Sequence, residues 1–296
     1  MNGIYLKTPE AWAGFGYACT QVNQDYTLAI QFGQASLKCL EVMSGVSNHS
    51  RCSTLLLLGL YDLCWSFSRL DLYKLFIHSH DIGSASGSFI ASTYSLIAMI
   101  LNKIISGFTL ASIKEDLHKY RQEMLGWRGI VTETWTETEK LVSRIIGSDS
   151  SRGGVPTLAA PPISDRIIGG GGGGIGMGST PIIKISQNFA QDLLLAEIME
   201  DYLFGKSDSL KKRIKKYLSY PRTAEGTGLF IAECFWLSLA ALSGSPIEPL
   251  PDSDIPGLGP LRIFAGLNGT EHLYKKHLIE AELVNMSPRK IIFSSV

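Results

Sequence analysis

The 296-residue chain has no excess of charge of either sign: Lys plus Arg total 27, and Asp plus Glu total 27. Charged residues make up only 18% of it, below the quarter usual in soluble domains. This balance excludes a globally basic nucleic-acid sponge, and 45% apolar residues exclude an intrinsically disordered chain. Cysteine is scarce and odd in number: Cys19, Cys39, Cys52, Cys64 and Cys234, with no C-x-x-C pair. Zinc knuckles and a disulfide framework find no support, so free thiols in a reducing, cytoplasmic setting are expected. The first residues show neither a basic stretch leading into an apolar run nor a glycine at position 2, so no leader or acyl anchor is expected. Long hydrophobic runs are missing as well. Residues 82–102 carry no charge, but Ile82 to Ser88 is rich in small, loop-like residues, and the apolar part from Phe89 meets Lys103 after Leu101. That is short of a bilayer span, and buried core helices are expected.

Several chemical signatures are also missing. Gly169, Gly171 and Gly174 match G-x-G-x-x-G only because Gly169 to Gly174 is an unbroken glycine run, and the following Pro181 to Ile185 reads as strand. A dinucleotide fingerprint needs a strand before it and a helix directly after it. No G-K-[ST] or G-x-S-x-G occurs, so neither a phosphate loop nor a nucleophile elbow is expected, and no cofactor is implied. His78 and His80 lack a third ligand at helical spacing, and His272 and His277 are off the four-residue step, so no metal is expected.

What the sequence does contain is an organisation. The length suggests about two domains, and the composition breaks once. Residues 148–180 hold Pro156, Pro161, Pro162 and the glycine run, with no periodic apolar stripe. They read as a Gly/Pro/Ser-rich flexible connector between an N-terminal helical lobe, 1–147, and a C-terminal helical lobe, 181–296. Neutrality holds in each part: 12 cations and 12 anions in 1–147, and 13 of each in 181–296. The expected fold is mostly α, with minor extended segments such as 289–296. Ser112 and Glu115 form a capping box for a helix ending at Gly126, and Thr134 and Glu137 form another. Further helices are expected from Ser186 to Phe204, about Ser209 to Tyr217, Gly228 to Leu242 and His272 to Val284. Five prolines between 243 and 262 suggest a stiff loop. Trp12, Phe15 and Tyr17 are read as core.

The sharpest feature is a local concentration of positive charge. Lys206, Lys211, Lys212, Arg213, Lys215, Lys216 and Arg222 stand against Asp208 alone. Leu210, Ile214, Tyr217 and Leu218 keep helical spacing, so the segment reads as an amphipathic helix anchored by its stripe. Crowded cations repel one another, and the pattern favours a polyanion: RNA phosphates first, with anionic membrane lipid as the other fit. Glu197, Glu200 and Asp201 on the preceding helix offer an internal alternative. The expected function is a non-enzymatic, self-associating RNA-binding structural protein that forms a homo-oligomer. Its architecture parallels viral nucleoproteins, whose two helical lobes flank a basic surface, and a virion is the corresponding location. A membrane-associated scaffold is the first alternative. The second is an enzyme whose site assembles only in space. The Ser-x-Val ending, Ser294 to Val296, also fits a strand-adding peptide tail.

Overall fold

The computed structural model describes residues 6–126, 130–146, 191, 194–220, 227, 229–242, 258–269 and 272–281. Every regular element among these residues is helical, and no strand occurs among them. Local chemistry explains most starts and stops. α1 (Thr8–Ala18) carries Pro9 in its first turn, where a missing N–H leaves no helical bond unmade. It runs into a wider turn, Cys19–Asn23, that ends at Gln24 in the left-handed region (φ 52°). The Asp25 side chain then caps α2 (Tyr26–Val42), accepting from the Leu28 N–H at 2.9 Å. Ser47 caps α3 (Asn48–Leu57). A second wide turn follows at Leu58–Asp62, then a tight one at Leu63–Trp65. Ser68 caps α4 (Arg69–Ser86), which ends on Gly87 at φ 74°, a conformation that costs a Cβ-bearing residue.

α5 (Phe89–Ile105) forms the middle of the core. Leu96, Ile97, Met99, Ile100, Leu101 and Ile104 are all buried, so this helix is apolar on nearly every side. It packs on α3, α4, α6 (Leu110–Leu125), α7 (Ile130–Ile146) and α10 (Leu229–Leu242). This packing accounts for the charge-free run of the sequence. No helix among the described residues is long and apolar enough to cross a membrane. Lys103, at the end of α5, is buried yet satisfied: it pairs with Asp116, donates to the Ser112 hydroxyl at 2.7 Å, and lies over the Tyr73 and Phe108 rings.

The second half supplies α8 (residues 194–203), α9 (Ser207–Leu218), α10, α11 (Leu258–Leu267) and α12 (residues 272–281). One hydrophobic cluster joins both halves. Phe264 of α11 stacks on Trp65 with centroids 5.2 Å apart and meets Tyr26 edge-on. The Asn268 amide donates to the backbone carbonyls of Ser66 and Phe67, closing the same contact with polar bonds. The expected connector, 148–180, and the extended tail, 289–296, lie outside the described residues.

Four boundaries differ from the sequence expectation. α4 continues through Ser86, because small residues there pack closely: a Cβ on Gly83 would stand 2.7 Å from the Cys52 sulfur. Thr109, not Ser112, caps α6, since its backbone is extended and its hydroxyl accepts from the Ser112 N–H. α7 starts at Ile130, four residues before the expected cap. α11 forms within the Pro-rich stretch, with Pro260 in its first turn, where proline is tolerated.

Candidate anion-binding surface

The basic segment folds as α9, and its apolar stripe does what the spacing implied. Leu210, Ile214 and Tyr217 are buried against Leu194, Leu195 and Ile198 of α8 and Ala232, Leu237 and Ala240 of α10. Burial of Leu210 and Ile214 is worth roughly 1.5–3 kcal/mol each, enough to fix which side of α9 faces out. Gly205 (φ 64°) makes the bend between α8 and α9. Leu218 departs from the expected stripe and stays 44% exposed at the end of the helix.

The seven cations divide by their place around the helix. Arg213 lies at the edge of the buried stripe, where its guanidinium pairs with Asp201 and Glu197 and donates to the Glu197 carbonyl. Asp201 is almost wholly buried and also accepts from the Ser209 hydroxyl at 2.6 Å, so this pair ties α8 to α9. Lys206 binds Glu200 at 2.8 Å and leans over the Phe204 ring. The acids of α8 therefore do neutralise part of the segment, as the internal alternative held. Lys211, Lys212, Lys215 and Lys216 form no ion pair among the described residues, and Lys212, Lys215 and Lys216 are exposed. Spaced at i, i+4 in two rows, the four lysines spread over one solvent-facing side. Arg222 lies outside the described residues.

Of the histidine candidates, His80 takes up a structural duty. His80 is buried, its Nδ1 2.8 Å from the Ser92 hydroxyl and its Nε2 3.5 Å from Glu123. Ser84 bridges Ser92 and Glu123, so the group links α4, α5 and α6. No cluster of three or more His, Cys, Asp or Glu suited to a metal occurs among the described residues. A groove of about 510 Å³ opens between α2, α3 and α4, floored by Leu37, Leu40, Leu55, Phe67, Leu75 and Ile82. Two of its charged rim groups are already engaged: Arg51 donates to the carbonyls of Met43 and Val46, and Asp71 accepts from Ser68.

One feature went unread in the sequence. Asp62 is wholly buried, with neither carboxylate oxygen hydrogen-bonded, and burial raises its pKa to about 8. It sits where α1 and α2 present Gly16 and Gly33: a Cβ at those positions would stand 2.5 and 2.7 Å from the aspartate side chain. Nothing in an isolated Tyr-Asp-Leu marks such an acid, although two glycines on facing helices are a hint of close approach. The N-terminal aromatic group departs from its reading as core, because Phe15 is 58% exposed. The chain matches no protein-family model, no curated protein and no solved structure.

Proposed function

We propose that the protein is a non-enzymatic, self-associating RNA-binding structural protein, whose α9 contacts phosphates without reading bases. The observation that carries this reading is the set Lys211, Lys212, Lys215 and Lys216, held on one side of a well-anchored helix with no ion pair among the described residues. Lysine is a compact point charge that suits phosphate but gives no bidentate base contact, while Arg213, the described cation of the segment with a guanidinium fork, is occupied by acids. Two lobes joined by the 148–180 connector belong to the same reading, with the connector as an exchange element between copies. A reducing, cytoplasmic location fits the five free and buried cysteines.

The test is a salt titration of binding to a fluorescent single-stranded RNA. About four phosphate contacts give a log–log slope near −3, from roughly −0.7 per contact on single strands. Charge reversal in Lys212→Glu/Lys215→Glu should weaken binding and flatten that slope. Affinity that does not change with salt would sink the assignment. A specific observation also favours anionic lipid as a second reading: Leu203 and Phe204 just before α9 and Leu218 at its end are exposed apolar residues on the same basic segment. Flotation with anionic and with neutral vesicles separates the two.

A further inference from the structure

The 27 residues from Ala11 to Leu37 hold a single charged side chain, Asp25, and that one serves as the α2 cap. This stretch is not buried on all sides. α1 and α2 turn Ala13, Gly16, Ala29, Gly33 and Ser36 inward, and leave an outer face almost free of charge. On that face Phe15 and Val22 are 58% and 78% exposed, and Leu28 is partly exposed. Trp12, Leu28, Gln31, Phe32 and Ala35 line a shallow groove of about 240 Å³. Phe15 stands beside the groove, its ring stacked on Phe32 at 5.9 Å.

We propose that the outer face of the α1–α2 hairpin is a two-fold self-association surface, in which Phe15 of each copy enters the groove of the other. Three arguments select a second copy as the occupant. A two-fold interface needs its projection and its recess on one patch, and here they are neighbours. A surface without net charge meets its own image without like-charge repulsion, and interface centres are depleted of charge in just this way. An anionic membrane would call for cations on the face, and between residues 11 and 37 there are none. The two helices offer a face about 25 Å long and 20 Å wide, on the order of 500 Å² in projection. That is at the small end for specific interfaces, so the dimer should dissociate on dilution.

This gives the self-association proposed above a location, and it stands on different residues from the lysine surface. The experiment is sedimentation velocity of the full chain over a hundredfold concentration range, for wild type, Phe15→Glu and Leu28→Glu. The wild type should pass from monomer to dimer, and each variant should raise the dissociation constant about tenfold or more with unchanged circular dichroism and melting. A second variant does not depend on weakening anything. All five native cysteines are buried, so Gln31→Cys supplies an accessible thiol in the groove and should yield a cross-linked dimer under mild oxidation. A wild type that stays monomeric at the highest concentration overturns the proposal. So does a dimer that both variants leave intact, or a monomer that captures neutral vesicles through Phe15. Phe15→Glu should keep the RNA salt slope of wild type; if RNA binding fails in both proteins while the dimer forms, the RNA reading falls and the interface stands.

Discussion

Asp62 is the residue whose environment departs furthest from its ordinary chemistry. A carboxyl without a hydrogen-bond partner, wedged between Gly16 and Gly33, is neutral in the folded protein up to a pKa of about 8. Unfolded, the same group ionises near pH 4. Between those values the folded state holds a proton that the unfolded state releases, so stability falls as pH rises. The contribution is complete below about pH 4 and lost above about pH 8, at a slope of about 1.4 kcal/mol per pH unit. Asp62→Asn keeps the shape and removes the titration. Urea unfolding should find it no more stable than wild type at pH 4, clearly more stable at pH 8, and flatter in between. Equal pH profiles for the two proteins would show that the carboxyl is not held neutral. The neighbouring glycines give a second residue-scale expectation. Gly16→Ala drives a methyl into the aspartate and should cost about 1–3 kcal/mol in the same assay, whereas Gly14→Ala, with open space around it, should not.

At the scale of elements, the caps decide where helices begin, and one of them tests how far a sequence motif can be trusted. Thr109 accepts the N–H of Ser112, so Thr109→Ala should destabilise the fold by about 1 kcal/mol, while the exposed Glu115→Ala should stay within about 0.5 kcal/mol. Thermal melts of both variants measure this. The Ser-x-x-Glu pattern at 112–115 was legible but misleading, because the hydroxyl of Ser112 is taken by Lys103 from another helix. Such tertiary capture leaves no trace in local spacing. Elements whose apolar stripe and stop signal agree, such as α9 and the Gly205 bend, could be read directly. α11 could not, since its prolines argue for a loop until the packing of Leu261 and Phe264 is known. The same division runs through the candidate site. The crowding of lysines was plain in the chain, yet the loss of Arg213 and Lys206 to acids on α8 depends on how two helices cross.

At the scale of the whole molecule, Phe264 is one of the points where the two halves meet, touching Tyr26 and Trp65 of the first and Phe230 of its own half. Phe264→Ala should cost about 3–5 kcal/mol. Wild type should unfold with tryptophan fluorescence and far-ultraviolet circular dichroism in one coincident transition, because the five tryptophans, Trp236 of α10 among them, and the helices both report the two halves together. Two separated transitions would mean that this contact does not couple them. The charge balance is likewise a property of the whole: each half is neutral, and the crowded cations of 206–222 are offset by acids elsewhere in the second half.

The Trp65–Phe264 stack also bears on how the protein is made. About 200 residues separate the two rings along the chain. At 5–20 residues per second, a ribosome needs roughly 10–40 s to deliver the second after the first. For that interval the indole of the nascent N-terminal helices has Tyr26 on it but lacks its Phe264 partner, and the core helix α5 lacks its α10 neighbour. Such a surface is one that a chaperone holds and an aggregate captures, and a chain truncated before α11 would keep it permanently.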